Sequence, residues 1–524
     1  MIPPFDGVRP PFVVEALWTL VRTGMVGFVG PGQAVRMLAA AGRYQASPAA
    51  GAALAAIRWP DRAAVIDEDG EITFAELDAD SRALAAGLHR RYGLGPGRRV
   101  AVMCRNHRGF VIAAVAGARL GCDVVFLNTG FSAPQLGEVL ERERADAALV
   151  DAEFLPLLEK SGYAGPGADA MDPGLRVTGG DAPAPARPGR MTLLTSGTTG
   201  TPKGAPRDLS LAHLAKPFVS LLSTTPLRVG DPMLIAPPLF HALGLMWFGI
   251  ALTLGCPMVL LRRFRPEAVY EAVERHRVRA LIAVPIMLDR LLRGEARGDT
   301  SSLAAVVVSG SALRPDLAAA FMDEFGDIVY NIYGSTETGW GAIATPADMR
   351  AAPGTVGRPP YGATVRILDE DGGELPPPEV GRVFVGGGLN FAGYSGGGSK
   401  EVVRGLMSTG DLGHFDAEGR LFIDSREDDM IVSGGENVYP REVEDLLARH
   451  EDVADVAVLG RRDEEYGERL AAFVVRRPGS ALTAEELKDY VRANLARYKV
   501  PRDVEFVDEL PRTATGKVAQ TRLR

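Results

Sequence analysis

Met191-Thr-Leu-Leu-Thr-Ser-Gly-Thr-Thr-Gly-Thr-Pro-Lys-Gly204 places a short, mostly apolar run ahead of ten residues with five hydroxyls, three glycines and one lysine. The apolar run reads as a buried strand and the remainder as the loop that leaves it. Glycines let a backbone turn its N–H groups toward an anion, hydroxyls donate from short arms, and Lys203 adds a mobile positive charge. Such a loop suits a phosphate. It is not the Walker A pattern, because Thr201 and Pro202 separate glycine from lysine and Gly204 follows it. By composition alone the same residues also describe an ordinary surface turn.

Outward from this loop, the chain alternates short β-rich runs with helical patterns. Val100 to Met103, Phe110 to Leu120, Val124 to Leu127, Pro134 to Glu143 and Ala147 to Val150 precede it. Met233 to Ala236, Met258 to Leu261, Ala280 to Val284, Ala304 to Val308 and Ile328 to Ile332 follow as further buried strands. This alternation predicts an α/β fold whose parallel-rich sheets are layered with helices, with ligands at the C-terminal ends of the strands. Ala182 to Gly189, rich in Pro and Ala, reads as a loop or lobe boundary.

Beyond Gly386 to Gly398 the elements shorten. Val443, Leu446 and Leu447 share a helix face, Val453 to Leu459 and Ala471 to Val475 read as strands, and Thr483 with Glu486 forms a capping box. A large N-terminal domain, 1–427, and a small mobile α+β domain, 428–524, are therefore expected, with the junction near Asp428. At about 150 residues per unit, 524 residues suggest several lobes.

The formal net charge of −8 and the lack of a basic tract suggest no nucleic-acid partner. Cys104, Cys122 and Cys256 are the chain's three cysteines, too scattered for a disulfide framework or a zinc site, and they fit a reducing, cytoplasmic setting. Val13 to Val29 is the longest near-apolar stretch, but Glu15 and Arg22 interrupt it before the ~20 residues of a spanning helix. An amphipathic helix packed on the protein is the expectation there, with peripheral membrane contact as the alternative.

Other segments carry chemical types that suit a nucleotide. Pro238-Leu239-Phe240-His241 follows a strand, and its histidine is either a structural residue or a gate beside a substrate. Tyr333 to Gly339 combines an aromatic that can stack on adenine, hydroxyls that can bond phosphate, and a carboxylate that can hold Mg²⁺. As a plain structural reading it is a strand-end turn with a helix cap. Ser408-Thr409-Gly410-Asp411 offers a carboxylate after a tight turn, and Arg426-Glu427-Asp428-Asp429 could be only a solvated linker. Ile431 to Asn437, Ser309 to Ala312 and Pro511 to Lys517 complete the set.

In this order, the loop and these segments resemble the signature of the adenylate-forming superfamily of acyl-CoA synthetases, luciferases and peptide-synthetase adenylation domains. The resemblance spans Thr195 nearly to the C-terminus, and it implies the following roles. Thr195, Ser196, Gly197, Thr198, Thr199, Gly200 and Lys203 hold the phosphates of ATP. Gly310, Ser311 and Ala312 form the wall between the acyl and adenine pockets. Asn331, Tyr333 and Gly334 contact the nucleotide. Thr336 meets the α-phosphate and Glu337 binds Mg²⁺. Asp411 and Arg426 hold the ribose, Gly434 and Gly435 line a tunnel for the thiol of CoA, and Asp428 is a hinge. His241 gates the carboxylate pocket, and Lys517 stabilises the pentavalent α-phosphate.

Nothing charged stands near His241, Ser309 to Ala312 or Thr338 to Gly341 to pair an ammonium, so an apolar acid fits better than an amino acid. The whole chain looks most like bacterial medium- or long-chain fatty acyl-CoA synthetases. That implies ATP, Mg²⁺ and CoA as cofactors and a small carboxylic acid, a fatty acid, as partner. An aryl-CoA ligase, a ligase loading a carrier protein and a non-catalytic adenylate-binding protein remain alternatives, and a monomer and a homodimer are both open.

Overall fold

Helix Arg108–Arg119 is apolar on every side, and all of its residues from Gly109 onward are buried. A helix of that kind can exist in water only between other layers. It packs against strands Arg99–Met103 and Asp123–Phe126 of one sheet and Ala63–Asp67 of another. A Cβ on Gly117 would lie 2.8 Å from Val124 and 3.0 Å from Val100, so this glycine lets the helix sit down on its sheet. Phe110, Val111, Ile112 and Val115 belong to one core with residues of both sheets, including Val65, Val102, Phe126 and Ile282. Each such side chain taken from water contributes ~1.5–3 kcal/mol.

The computed structural model describes residues 11–523 except 178, 180, 181, 184, 186, 196–202, 208–210, 392, 396, 428–430, 434, 435, 439, 464–466, 496–498, 514 and 515. The first sheet has six strands in the order Gly167–Asp169, Ala147–Val150, Arg99–Met103, Asp123–Phe126, Met191–Thr195 and Lys203–Arg207. All neighbours are parallel except the last pair, a hairpin that starts and ends the loop quoted above. The second sheet has eight strands in the order Gly339–Ala344, Val329–Ser335, Ala305–Val308, Ala280–Ala283, Met233–Ile235, Met258–Val259, Ala63–Asp67 and Gly70–Thr73. Its six inner strands are parallel, and antiparallel hairpins close both edges.

A third sheet departs from the parallel expectation. Thr355–Gly357, Leu421–Arg426, Leu406–Phe415, Gly381–Gly387 and Ala363–Leu368 pair antiparallel in that order, with Val402–Val403 beside them. Its strands are linked by turns rather than helices, which is what antiparallel pairing permits. Strands Ile431–Ser433, Glu436–Val438, Val453–Asp463, Gly467–Arg476 and Asp503–Phe506 form the fourth sheet. Helices Pro440–Leu447 and Ala484–Asn494 cover it around a core of its own that includes Val443, Leu447, Val474, Leu487 and Val491. The Thr483 capping box is formed, with Thr483 N–H donating to Glu486 at 2.8 Å and Glu486 N–H returning to the Thr483 hydroxyl at 3.3 Å.

Cys104, His107 and Asp151 meet in the interior with ligand atoms within 4.8 Å of one another. His107 Nδ1 accepts from Gly109 N–H at 3.1 Å, so its Nε2 carries the proton donated to Asp151 at 2.6 Å. The other Asp151 oxygen accepts from Arg105 N–H at 2.8 Å. The group is an internally satisfied strut that caps the central helix.

Helix Phe12–Arg22 packs on helix Leu211–Thr224. The sequence expectation of an amphipathic helix holds in its periodicity but not in its facing: Thr19 is fully buried, whereas Leu17, Trp18 and Val21 are exposed. Among the described residues no helix is long and apolar enough to cross a membrane.

Candidate active site

The chemically distinctive segments gather at the C-terminal ends of the parallel strands, where backbone N–H and C=O groups are no longer used by the ladder. Strand Met233–Ile235 runs into Pro237 and Pro238, and His241 then opens helix Ala242–Leu254 as its N-cap residue. Asn106 fixes this segment. Its amide donates to Ile235 O at 3.2 Å and Pro237 O at 2.9 Å, and its oxygen accepts from Leu239 N–H at 2.8 Å. Asn106 is buried and follows strand Arg99–Met103 of the other parallel sheet, so one side chain ties the two sheets together beside His241. Sequence reasoning missed it, because an asparagine after a strand carries no mark that distinguishes it from a loop residue.

The His241 ring lies 4.5 Å from that of Phe240, and its Nε2 is buried with no hydrogen-bond partner among the described residues. Burial, and secondarily the positive charge of Lys517, hold its pKa down at about 4. Lys517 therefore stands near His241 although 276 positions separate them (517 less 241). Its turn is a tight hairpin in which Thr513 N–H donates to Lys517 O at 2.7 Å and Gly516 N–H to Thr513 O at 2.8 Å. Arg512 anchors the hairpin to Asp455 at 2.5 Å and to Gly516 O at 2.8 Å. A Cβ on Gly516 (φ +79°) would come within 2.4 Å of Ile286, so the hairpin seats against the segment leaving strand Ala280–Ala283.

Gly310 (φ +91°) follows strand Ala305–Val308 and faces Val284, which also lies beside Gly516. Ser309 Oγ donates to Ile332 O at 2.7 Å and ties this wall to the next strand. Ser311 is half-buried, and Gly310 and Ala312 are exposed. Strand Val329–Ser335 carries Asn331, which is buried, and runs on through Tyr333 and Gly334 before it hairpins into Gly339–Ala344. The motif is thus the end of a β-hairpin and caps no helix.

The Tyr333 ring lies against Gly341, where a Cβ would sit 3.0 Å away, and its hydroxyl donates to Asp411 at 2.5 Å. Burial, and then the neighbouring Asp411 carboxylate, push the phenol well above its usual range. The other Asp411 oxygen accepts from Arg426 at 3.4 Å, across the paired strands Leu406–Phe415 and Leu421–Arg426. Ser335 Oγ accepts from Glu337 N–H at 3.2 Å and Thr338 N–H at 3.1 Å, which shapes the turn carrying Thr336 and Glu337. Tyr394 donates to Glu337 Oε1 at 3.1 Å, and burial followed by that carboxylate's charge raises the phenol to about 12. Next to it, Ser395 N–H donates to Gly204 O at 2.8 Å and Ser395 Oγ to the buried Glu143 at 2.7 Å. Tyr394 and Ser395 thereby connect Glu337 to the strand that leaves the phosphate-type loop.

Thr195 and Lys203 are paired in register as backbone. Ser196, Gly197, Thr198, Thr199, Gly200, Asp428, Gly434 and Gly435 lie outside the described residues. The structure thus sets His241 near Lys517, Gly310 and Gly516 on either side of Val284, and Tyr333, Asp411 and Arg426 in one hydrogen-bonded chain, with Ser309 bonded to the strand that carries Tyr333.

Similarity to known proteins places this two-lobed fold in a class, the AMP-forming acid–thiol ligases, for which ATP, Mg²⁺ and CoA are the cofactors. The chain belongs to the AMP-binding enzyme family: residues 53–395 match the AMP-binding enzyme profile, and residues 442–517 match the AMP-binding enzyme C-terminal domain. It is 34% identical to an indoleacetate–CoA ligase of Aromatoleum aromaticum, covering 90% of this chain and 94% of that protein. It is 31% identical to the fatty acid–[acyl-carrier-protein] ligase ScoC of Streptomyces coeruleorubidus, covering 89% and 93%. Its fold matches o-succinylbenzoate CoA synthetase from Bacillus subtilis in complex with an acyl-adenylate, at TM-score 0.80 and 31% identity over 90% of this chain and 97% of that one. The same synthetase has also been solved with ATP and magnesium ion.

Two outcomes follow from this geometry. Asn106→Ala leaves three buried backbone groups without their partner, and it lowers stability by about 2–4 kcal/mol while slowing the reaction, read by urea melts and turnover. With a folded pKa of about 4 against about 6.5 unfolded, His241 stays neutral above pH ~5. The unfolded chain takes the proton first, so this contribution to stability is whole above pH ~6.5 and is lost as pH falls toward about 4. NMR titration of labelled histidines checks it, and Lys517→Ala shifts the His241 midpoint upward.

Proposed function

We propose that this enzyme uses ATP to activate an apolar monocarboxylic acid, a medium- or long-chain fatty acid, and passes the acyl group to CoA. One observation carries the reading: the buried Nε2 of His241 has no partner among the described residues and lies within the field of the Lys517 ammonium. An orphaned buried nitrogen needs a polar guest, and a carboxylate beside a cation supplies one.

In the first step a carboxylate oxygen of the acid attacks the α-phosphorus of ATP. The P–O bond to pyrophosphate breaks, giving acyl-adenylate. Charge builds on the α-phosphate oxygens, and preorganised donors there are worth ~3 kcal/mol each. Lys517, Thr336, and Thr195 to Lys203 are assigned to those oxygens, with Asn331 and Gly334 bordering the adenine and Gly310, Ser311 and Ala312 walling it off. Asp411 and Arg426 hold the ribose. Glu337, with Oε1 engaged by Tyr394, has its second oxygen for Mg²⁺, which would neutralise the polyphosphate and orient it.

In the second step the sulfur of CoA attacks the acyl carbon, AMP departs and the thiol proton is released. The Lys517 hairpin is assigned to the first step, with the small domain swinging afterwards to admit the thiol. Asp428 is assigned as the hinge, and Gly434 and Gly435 as the lining of the thiol path.

The acyl end is assigned to the floor formed by helix Ala242–Leu254 and strand Gly339–Ala344. There Trp340 Nε1 contacts Met246 Sδ at 2.7 Å, and Leu243, Leu245 and Tyr330 pack against the same core. Met246 and the leucines favour an alkyl chain. The aromatic pair Trp340 and Tyr330, together with the indoleacetate and o-succinylbenzoate relatives, favours a second reading, an aryl or arylalkanoic acid.

Lys517→Ala cuts acyl-adenylate formation by about 10²–10³-fold yet leaves thioester formation from supplied acyl-adenylate near wild type. Equal loss in both half-reactions removes the assigned role. A panel of C8–C18 fatty acids and aryl acids, followed by pyrophosphate release and acyl-CoA product, gives the highest kcat/KM with a fatty acid. A preference of about tenfold or more for aryl acids moves the assignment to the second reading.

A further inference from the structure

Nine of the eleven large hydrophobic side chains exposed among the described residues lie between Val13 and Leu38. Helix Phe12–Arg22 is turned inside out. Thr19 is 0% exposed and its hydroxyl has no partner among the described residues, while Val13, Leu17 and Val21 are each at least 60% exposed. Trp18 shares the outer face, Phe28 in the following loop is 98% exposed, and Val35 and Leu38 extend the surface along helix Pro31–Tyr44. A soluble helix presents the opposite arrangement, and exposed large apolar side chains concentrated in one segment mark an interaction site.

We propose that these two helices seat the enzyme on an anionic lipid surface. The charge pattern selects that occupant. Residues 11–58 carry Arg22, Arg36, Arg43 and Arg58 against the single acid Glu15, in a chain whose net charge is −8. Two further cations flank the patch: Lys216 stands 5.9 Å from the Phe12 ring, and the exposed Arg228 acts on Arg22. Trp and Phe among valines and leucines in a positively charged segment, with Arg36, Lys216 and Arg228 exposed, is the composition of a helix lying in the headgroup region. A second copy on this face would bring the same cations together, which disfavours a symmetric dimer.

The surface also lies close to the substrate end of the molecule. Arg22 is near enough to Tyr330 for its charge to act on that phenol, and Tyr330 packs in the same core as Trp340. Docking therefore places the acyl end of the crevice one helix layer from the lipid. The docking itself does not depend on the identity of the acid.

The test is co-sedimentation of the full chain with phosphatidylcholine vesicles with and without phosphatidylglycerol, alongside light scattering without lipid. The wild type pellets with anionic vesicles and less so as salt is raised. The triple variant Leu17→Glu, Trp18→Glu, Val21→Glu, whose sites are solvent-facing, loses at least about tenfold in partitioning. It keeps its circular dichroism spectrum and its turnover of a short, water-soluble acid. Three results overturn the proposal: wild type remaining in the supernatant, the variant binding as wild type does, or a lipid-free dimer that the variant converts to monomer. Retained turnover of the variant alongside lost sedimentation separates this surface from the catalytic reading.

Discussion

The burial of helix Arg108–Arg119 on all sides is the constraint from which the rest of the architecture follows. A layer that apolar admits a charge only where it is fully paired, as Arg119 is with Asp78, Ser81 and Tyr44, so the remaining polar chemistry gathers at the ends of the strands that flank it. Both parallel sheets then present their C-terminal edges, and Asn106 ties one edge to the other with three hydrogen bonds. The His107–Asp151 strut at the start of the same helix belongs to this logic. A buried histidine and carboxylate are tolerated because each has its partner, and the pair fixes the helix end from which Asn106 is held.

Most of the fold could be read from periodicity. The parallel strands and their helices follow a simple alternation, and the Thr483 box announced its helix because the capping geometry is local. The antiparallel sheet from Thr355 to Arg426 was not legible, since its strands are bulged and interrupted by glycine, and their partners are chosen by tertiary register. The same reason hid the shape of the Tyr333 segment. A strand that continues through Ser335 and turns back at Gly339 looks, residue by residue, like a strand followed by a loop.

The site was legible as a list of residues and not as a set of contacts. That Tyr333 would meet Asp411, or that Tyr394 would reach Glu337, depends on loops brought together across sheets. Val284 shows how economically the two lobes are joined, because Gly310 of the large domain and Gly516 of the small one both approach it. A side chain at Gly516 would collide with Ile286, so the hairpin carrying Lys517 can dock only because that position has no Cβ. Arg293 donating to Ala454 O at 2.8 Å and Arg441 to Ile423 O at 2.8 Å are polar contacts between the lobes, of the kind that can be exchanged for water.

The N-terminal helix shows a different limit of sequence reading. The spacing of valines and leucines along a helix fixes which of its faces is apolar and says nothing about what that face meets. For Phe12–Arg22 the protein supplied a partner to the threonine side, through helix Leu211–Thr224, and left the valine and leucine side outward. Burying Thr19 with an unanswered hydroxyl is unfavourable, and so is holding Leu17 and Val21 in water. Rotating the helix by half a turn would relieve both but would take Arg22 away from the Leu222 and Thr225 carbonyls to which it donates. The proposed lipid seat gives this facing a reason, because the valine and leucine side then meets an apolar medium for part of the enzyme's working life.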